Sequence, residues 1–175
     1  MSISLYDATV KGFLPHLQNM IGVLDKAEAH CREKGGAPQS LLSSCLYEDM
    51  WPLTKQINSV VHHSEGAIRL LSQGQFTIPP AIPDGLGFSD LKAMLADARQ
   101  KLEKVTPADV EALEGKNAVF VIRDMEFPIE AREFLLAFSV PNFHFHCTTA
   151  YGILRMNGVQ LGKMDYMGRL PTRPV

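Results

Sequence analysis

Four stretches of the chain repeat apolar residues at steps of three and four, the spacing that lays a stripe along one side of an α-helix. The first runs from about Leu5 to Arg32 through Val10, Phe13, Leu14, Leu17, Met20, Ile21, Leu24 and Ala27. Gly35-Gly36, following a basic last turn, predicts its end. Pro15 lies inside this pattern, where a missing N–H and a bulky ring predict a bend. The second stretch carries Leu53, Ile57, Val60, Val61, Ser64, Ala67, Ile68 and Leu71 on one face, with Asp49 as its N-cap and Pro52 in its first turn. Ser89 caps the third, whose stripe is Leu91, Met94, Leu95, Ala98, Leu102 and Val105. The fourth covers about Glu130 to Asn157, is interrupted at Pro141 and is closed by Gly158.

The connecting segments follow from their turn chemistry. PQSLLSSCLYE, after the first helix, holds one or two helical turns. FTIPPAIPDGLGF has three prolines and two glycines in thirteen residues, so it predicts a long surface connection between the second and third helices. TPADVEAL restarts a short helix, with Thr106 as cap, Pro107 in first place and Asp109 in third. AVFVI and MEFPI flank Arg123-Asp124 and suit a small β-hairpin, with Pro128 confining its strand to an edge. The tail, LGKMDYMGRLPTRPV, shows no period and is expected along the surface. The economical fold is one all-α domain of four main helices spanning residues 1–175.

Composition narrows the class. The 175 residues are 46% hydrophobic and 21% charged, the balance of a globular chain. Lys and Arg number 17 against 19 Asp and Glu, a formal net charge of −2, which argues against a dedicated nucleic-acid binder. Apolar runs such as Phe134 to Phe138 are far shorter than the roughly 18 residues of a membrane span. MSISLYDATV does not read as a secretory signal. Cys31, Cys45 and Cys147 are widely spaced and odd in number, which suits free thiols in a reducing cytoplasm. The expectation is a cytosolic protein, bacterial in style, with no membrane and no nucleic-acid partner.

Chemistry concentrates in PNFHFHCTTAYGILRMNG, Pro141 to Gly158. On a helical wheel Phe143, Cys147, Ala150 and Leu154 form the buried centre. Asn142, His146 and Ile153 share one flank, while His144 and Arg155 point away, so His144 is expected at the surface. Asn142 and His146, four apart, stack on one face. One reading is a buried histidine hydrogen-bonded to a neighbouring helix, with Asn142 assisting the break at Pro141. The other makes both members of a metal or acid–base site between facing helices. Partners would come from the second helix, where His63 sits at the stripe's edge in line with Gln56 and Ser59; His62 falls opposite the stripe and is expected in solvent. His16 and His30 look exposed. Cys147 is placed where burial makes a thiol inert, and His146 lies about 100° around the helix from it, a poor geometry for a base. GGAP and DGLG do not join a strand to a helix, so neither is a phosphate loop. Tyr151 and Arg155 share a face and suit a packing edge better than a ligand.

The segment Val140-Pro141-Asn142-Phe143, Phe145-His146, Thr148-Thr149-Ala150-Tyr151, Ile153-Leu154-Arg155 and Asn157-Gly158-Val159, followed by Gly162-Lys163, is distinctive. Together with D-M-W-P-L at the start of the second helix, it resembles a bacterial domain-of-unknown-function family in the DinB/YfiT-like superfamily, over essentially the whole chain. The resemblance implies an up-down-down-up four-helix bundle with a long crossover between helices 2 and 3. In metal-binding relatives, one histidine comes from the second helix and two from H-x-x-x-H on the fourth. On that pattern His146 matches the second of the two, Asn142 stands at the first, and the second-helix ligand falls near Ser59, with His63 one turn later.

Two of three ligand positions are therefore substituted, and the leading expectation is a bundle with a lost or vestigial metal site and no cofactor. It would act as a homodimer that binds a small molecule or another protein, with Met50, Trp51 and several phenylalanines supplying an apolar surface. The alternative is a hydrolase or thiol transferase using Zn, Ni or Mn held by His146, Asn142 and a second-helix group, His63 or Gln56.

Overall fold

The computed structural model describes residues 3–169. Its long helical segments are α2 (Val10–Lys34), α4 (Leu53–Val61) continued through a π-helical turn (His62–Gly66) into α5 (Ala67–Ser72), α6 (Phe88–Leu102), and α8 (Ala131–Phe134) continued through a second π turn (Leu135–Ser139) into α9 (Val140–Met156). Short helices α1 (Leu5–Ala8), α3 (Pro38–Leu42), α7 (Pro107–Glu111) and α10 (Lys163–Met167) decorate them. α2 packs on α6, α4 on both α9 and α6, and α9 on α2. Their stripes meet in one core containing Phe13, Leu17, Leu24, Leu53, Ile57, Leu91, Leu95, Phe143 and Leu154, each 1% exposed or less. The packing of Phe13 on Phe143, ring centroids 4.7 Å apart, joins α2 to α9.

The chain is not wholly helical. Strands β1 (Gln75–Thr77), β2 (Asn117–Ile122) and β3 (Met125–Glu130) form a sheet in that order. The hairpin is the expected one: β2 and β3 pair antiparallel about Arg123-Asp124, Val119 lies opposite Pro128, and β3 is the edge. β1 is the surprise, pairing parallel to β2 with Phe76 opposite Phe120. Three residues are too few to show a period, and the strand exists because Phe76 is buried among Phe120, Phe134 and His62. The prolines that follow do keep residues 78–87 free of helix and strand.

Several local expectations are corrected. The first helix breaks at Thr9, whose φ of −122° and ψ of −87° are not helical, and α2 then runs through Pro15. Gly35, in the left-handed region at φ 65°, ends it as expected. α4 starts at Leu53 with Pro52 in the cap position and no side-chain cap, so Asp49 does not cap it. The third helix is capped at Gly87, whose N–H donates to Asp90 Oδ2 (2.8 Å), and not at Ser89. Thr106 and Asp109 make the expected reciprocal cap of α7.

Pro141 does not interrupt the fourth segment. The helix widens into its π turn just before the proline, which relieves the crowding its ring would impose on the preceding turn. Within the tail, α10 lies on α2 through Lys26–Asp165 (2.7 Å) and the Asn19 amide donating to Tyr166 O (3.0 Å). Among the described residues no helix is long and apolar enough to cross a membrane.

Candidate functional site: a polar seam between two helices and the cleft beside it

α4 with its π turn presents Gln56, Ser59 and His63, spaced three and four apart. The segment ending in α9 presents Ser139, Asn142 and His146 at the same two steps. The helices face each other, so two short polar rows meet inside an apolar core. Gln56, Ser59, His63, Ser139 and His146 are all buried, while Asn142 is half-buried.

One bond fixes the chemistry of the seam. The Gln56 side-chain amide donates from Nε2 to the carbonyl of Trp51 (2.9 Å), an atom that can only accept. Its Oε1 therefore faces His146, and His146 Nδ1–H donates to it at 2.7 Å. His146 is thus the Nδ1–H tautomer, with Nε2 left as an acceptor. Burial lowers its pKa to about 4. His63 lies beside it, ring centroids 5.8 Å apart and planes 13° from parallel. Its pKa is pushed down to about 3 by burial first, then by His62 and His146. Both imidazoles are neutral at pH 7. His63 Nδ1, Ser59 Oγ and Ser139 Oγ are buried without a hydrogen-bond partner among the described residues.

The remaining predicted residues sort differently. Asn142 does not reach toward His146; its Nδ2 donates to Phe138 O (2.8 Å) in its own helical segment, which continues through Pro141 without the expected break. His62, expected in solvent, is 5% exposed and donates from Nε2 to Thr77 O (2.7 Å). β1 covers that side of the helix, with the Phe76 ring 4.8 Å from that of His62, so the face opposite the stripe is buried as well. His144, also expected at the surface, is half-buried with Nδ1 3.2 Å from the Tyr166 hydroxyl, its ring 5.0 Å from that of His16. Arg155 donates to Val159 O (3.2 Å), a packing-edge role. Cys147 is fully buried and its thiol pKa is pushed far up by desolvation.

The metal-binding pattern does not fit these residues. It asks for three imidazoles, whereas Ser59 carries a hydroxyl and Asn142 a carboxamide whose Nδ2 is held by Phe138 O. No carboxylate or thiolate replaces them, and among the described residues no group of three His, Cys, Asp or Glu is placed to hold an ion.

A cleft of about 640 Å³ opens beside the seam, within the size range of small-ligand sites. One side is Trp51, just before α4, with Thr54, Lys55, Asn58 and Ser59 of α4, and the other is the crossover from Ile78 to Leu86. The Asn58 side chain donates to Pro80 O (2.9 Å) and ties the wall to the helix. The Trp51 ring lies 5.9 Å from His146 with planes 10° apart, so it belongs to both cleft and seam. Lys55 and Asn58 escaped the sequence reading. They lie off the core stripe, and their only signal was proximity to a proline-rich wall not yet placed in space.

Residues 5–167 match the family described as Domain of unknown function (DUF1993). The chain belongs to the DUF1993 family. Its fold is DinB-like: a crystal structure of a DinB family member protein from Shewanella denitrificans superposes with a TM-score of 0.81 at 30% identity, covering 98% of this chain and 96% of that one. No curated protein matches the chain. Ser59, whose Oγ is buried without a hydrogen-bond partner among the described residues, belongs to both the seam and the lining of the cleft.

Proposed function

We propose that this DUF1993 protein is a small-molecule-binding module on a DinB-like four-helix bundle, its metal site lost and its ligand taken by the cleft between α4 and the crossover. The observation that carries the reading is that Ser59 and Asn142 stand where the pattern asks for two imidazoles, beside a ready cavity. A homodimer in a bacterial cytoplasm completes it. Leu46 packs over Gly152, and Phe145 and Met156 stand 54% and 56% exposed on the same side of α9, an apolar strip suited to a second copy.

Calorimetric titration of chelator-treated protein with Zn²⁺, Ni²⁺ and Mn²⁺, beside a thermal-shift screen of small organic molecules, tests the reading. It expects no stoichiometric metal binding, and stabilising hits that vanish when Ile82→Trp fills the cleft. Light scattering expects a dimer that Phe145→Glu dissociates.

A second reading is a divalent-metal hydrolase or thiol transferase around His146. It is favoured by the unpartnered Nδ1 of His63, on a ring stacked 5.8 Å from that of His146, whose Nε2 is left as an acceptor. One-to-one metal binding abolished by His146→Ala would install it in place of the first.

A further inference from the structure

The cleft has chemically unequal sides. The crossover wall is Ile78, Pro79, Pro80, Ala81, Ile82 and Pro83. Its three prolines have no N–H and a fixed φ, so this side is rigid, apolar and poor in donors. The opposite side is the beginning of α4, and it is an unfinished helix end. The N–H groups of Thr54 and Lys55 belong to the first turn, where no intrahelical acceptor exists. Pro52 in the cap position offers no side-chain oxygen, and neither N–H finds a backbone or side-chain partner among the described residues. Ser44 O takes the Leu53 N–H alone (3.0 Å). Lys55 makes no ion pair among the described residues, whereas Lys11, Lys26, Lys92 and Lys101 each hold a carboxylate within 3.0 Å. Ser59, one turn further along and 0% exposed, lines the same cleft with an unpartnered hydroxyl.

Donors and positive potential therefore gather on one side, at a helix N-terminus that favours an anion. The one carboxylate of the lining, Asp84, sits on the exposed Asp84-Gly85 turn of the crossover, not at the helix end. We propose that the cleft binds an apolar or aromatic molecule bearing a single carboxylate, which completes the N-terminus of α4 and pairs with Lys55 while the apolar body lies between Trp51 and the proline wall. This rests on the small-molecule reading above and gives it a ligand class.

The probes are 4-phenylbutyrate, its neutral amide 4-phenylbutyramide and the cation 4-phenylbutylamine, titrated by calorimetry and by ¹⁵N amide shifts. Charge-assisted hydrogen bonds predict that the acid binds about tenfold tighter than the amide, with the amine weakest. The Thr54 and Lys55 amide signals should move most with the acid. Lys55→Met, at an exposed position, should bring the acid down to the level of the amide and leave the amide unchanged. Equal binding of acid and amide, or an acid preference indifferent to Lys55→Met, overturns the carboxylate class; if Ile82→Trp still abolishes that binding, the cleft reading stands without it. An amine that binds best likewise overturns the class and moves the charged contact to Asp84. Failure of all three probes to bind overturns both the class and the small-molecule reading.

Discussion

His146 Nδ1 and Gln56 Oε1 are 2.7 Å apart, although the residues are 90 positions apart in the chain. The same glutamine gives its Nε2 to Trp51 O, so a single side chain links α9, α4 and the aromatic wall of the cleft. Gln56 is 2% exposed, and both ends of its amide are used. An alternative rotamer would leave a buried acceptor and a buried donor unpaired, at roughly 1–3 kcal/mol each. The glutamine thus locks the histidine's tautomer.

Gln56→Glu changes the charge at that lock while keeping its shape. A carboxylate accepting from His146 Nδ1–H favours the imidazolium, so the His146 pKa should rise from about 4 by at least roughly one unit. The Trp51 carbonyl loses its donor and a carboxylate is buried, so stability should fall. An NMR titration of the histidine ring protons reads the shift, and an unmoved His146 would show that the two side chains are not bonded.

Stability should also depend on acid in a defined window. His63 and His146 have folded pKa values of about 3 and 4, both below the ordinary 6.5. Between those values and 6.5 the unfolded chain binds protons at these sites and the folded chain does not, so stability falls as pH falls. The slope is roughly 1.4 kcal/mol per pH unit for each such histidine, and it flattens above about pH 7. His62 and His144, also lowered by burial, act in the same direction. Urea unfolding at pH 7.5 and 5.0 measures the loss, and His63→Phe should recover part of it at pH 5.0. A variant with the undiminished loss would mean that His63 is already charged in the folded state.

Much of this was legible along the chain, and the misses share a cause. The stripes through Leu17, Ile57, Leu95 and Leu154 predicted the helices and their inward faces, because burial of a helix stripe is a local periodicity. The hairpin and the Thr106 cap were legible from turn chemistry. The His63–Gln56–His146 grouping was visible as residues in line on two helices, although which of them bond was not. β1 was invisible because Phe76 is held by Phe120 and Phe134, partners distant in sequence. His62 was misplaced because its acceptor, Thr77 O, and its cover, Phe76, both belong to that same unforeseen strand. The uncapped start of α4 was hidden behind Asp49, an acceptable cap by residue type that stands too far upstream to serve.

The three thiols should separate by reactivity. Cys147 is fully buried and desolvation pushes its pKa far up; Cys31 is 6% exposed and raised by burial and by Glu28. Cys45 is half-buried in the connector after α3. Because the thiolate is the reacting form, a disulfide reagent should modify Cys45 first and Cys147 only on unfolding. Mass spectrometry after brief native labelling checks the order, and rapid modification of Cys147 would place it outside the core.

The proposal that a metal site has been lost can be tested by rebuilding one. Asn142→His makes an i, i+4 histidine pair with His146 on α9, a strong zinc-binding spacing, and Ser59→His supplies an imidazole at the matching position of α4. Ser59 is fully buried, so crowding by the larger ring should cost about 1–3 kcal/mol. Asn142 gives up only its bond to Phe138 O. The double variant should therefore fold and be stabilised by Zn²⁺, by roughly 2.7 kcal/mol at a hundredfold excess over Kd, while the wild-type melting temperature stays unmoved. His146→Ala in the double variant should erase the gain. If the rebuilt set ignores zinc although circular dichroism shows it folded, Ser59 and Asn142 are not the lost ligand positions. If the wild type is stabilised just as much, the site was never lost, and the metal-dependent reading replaces the binding module.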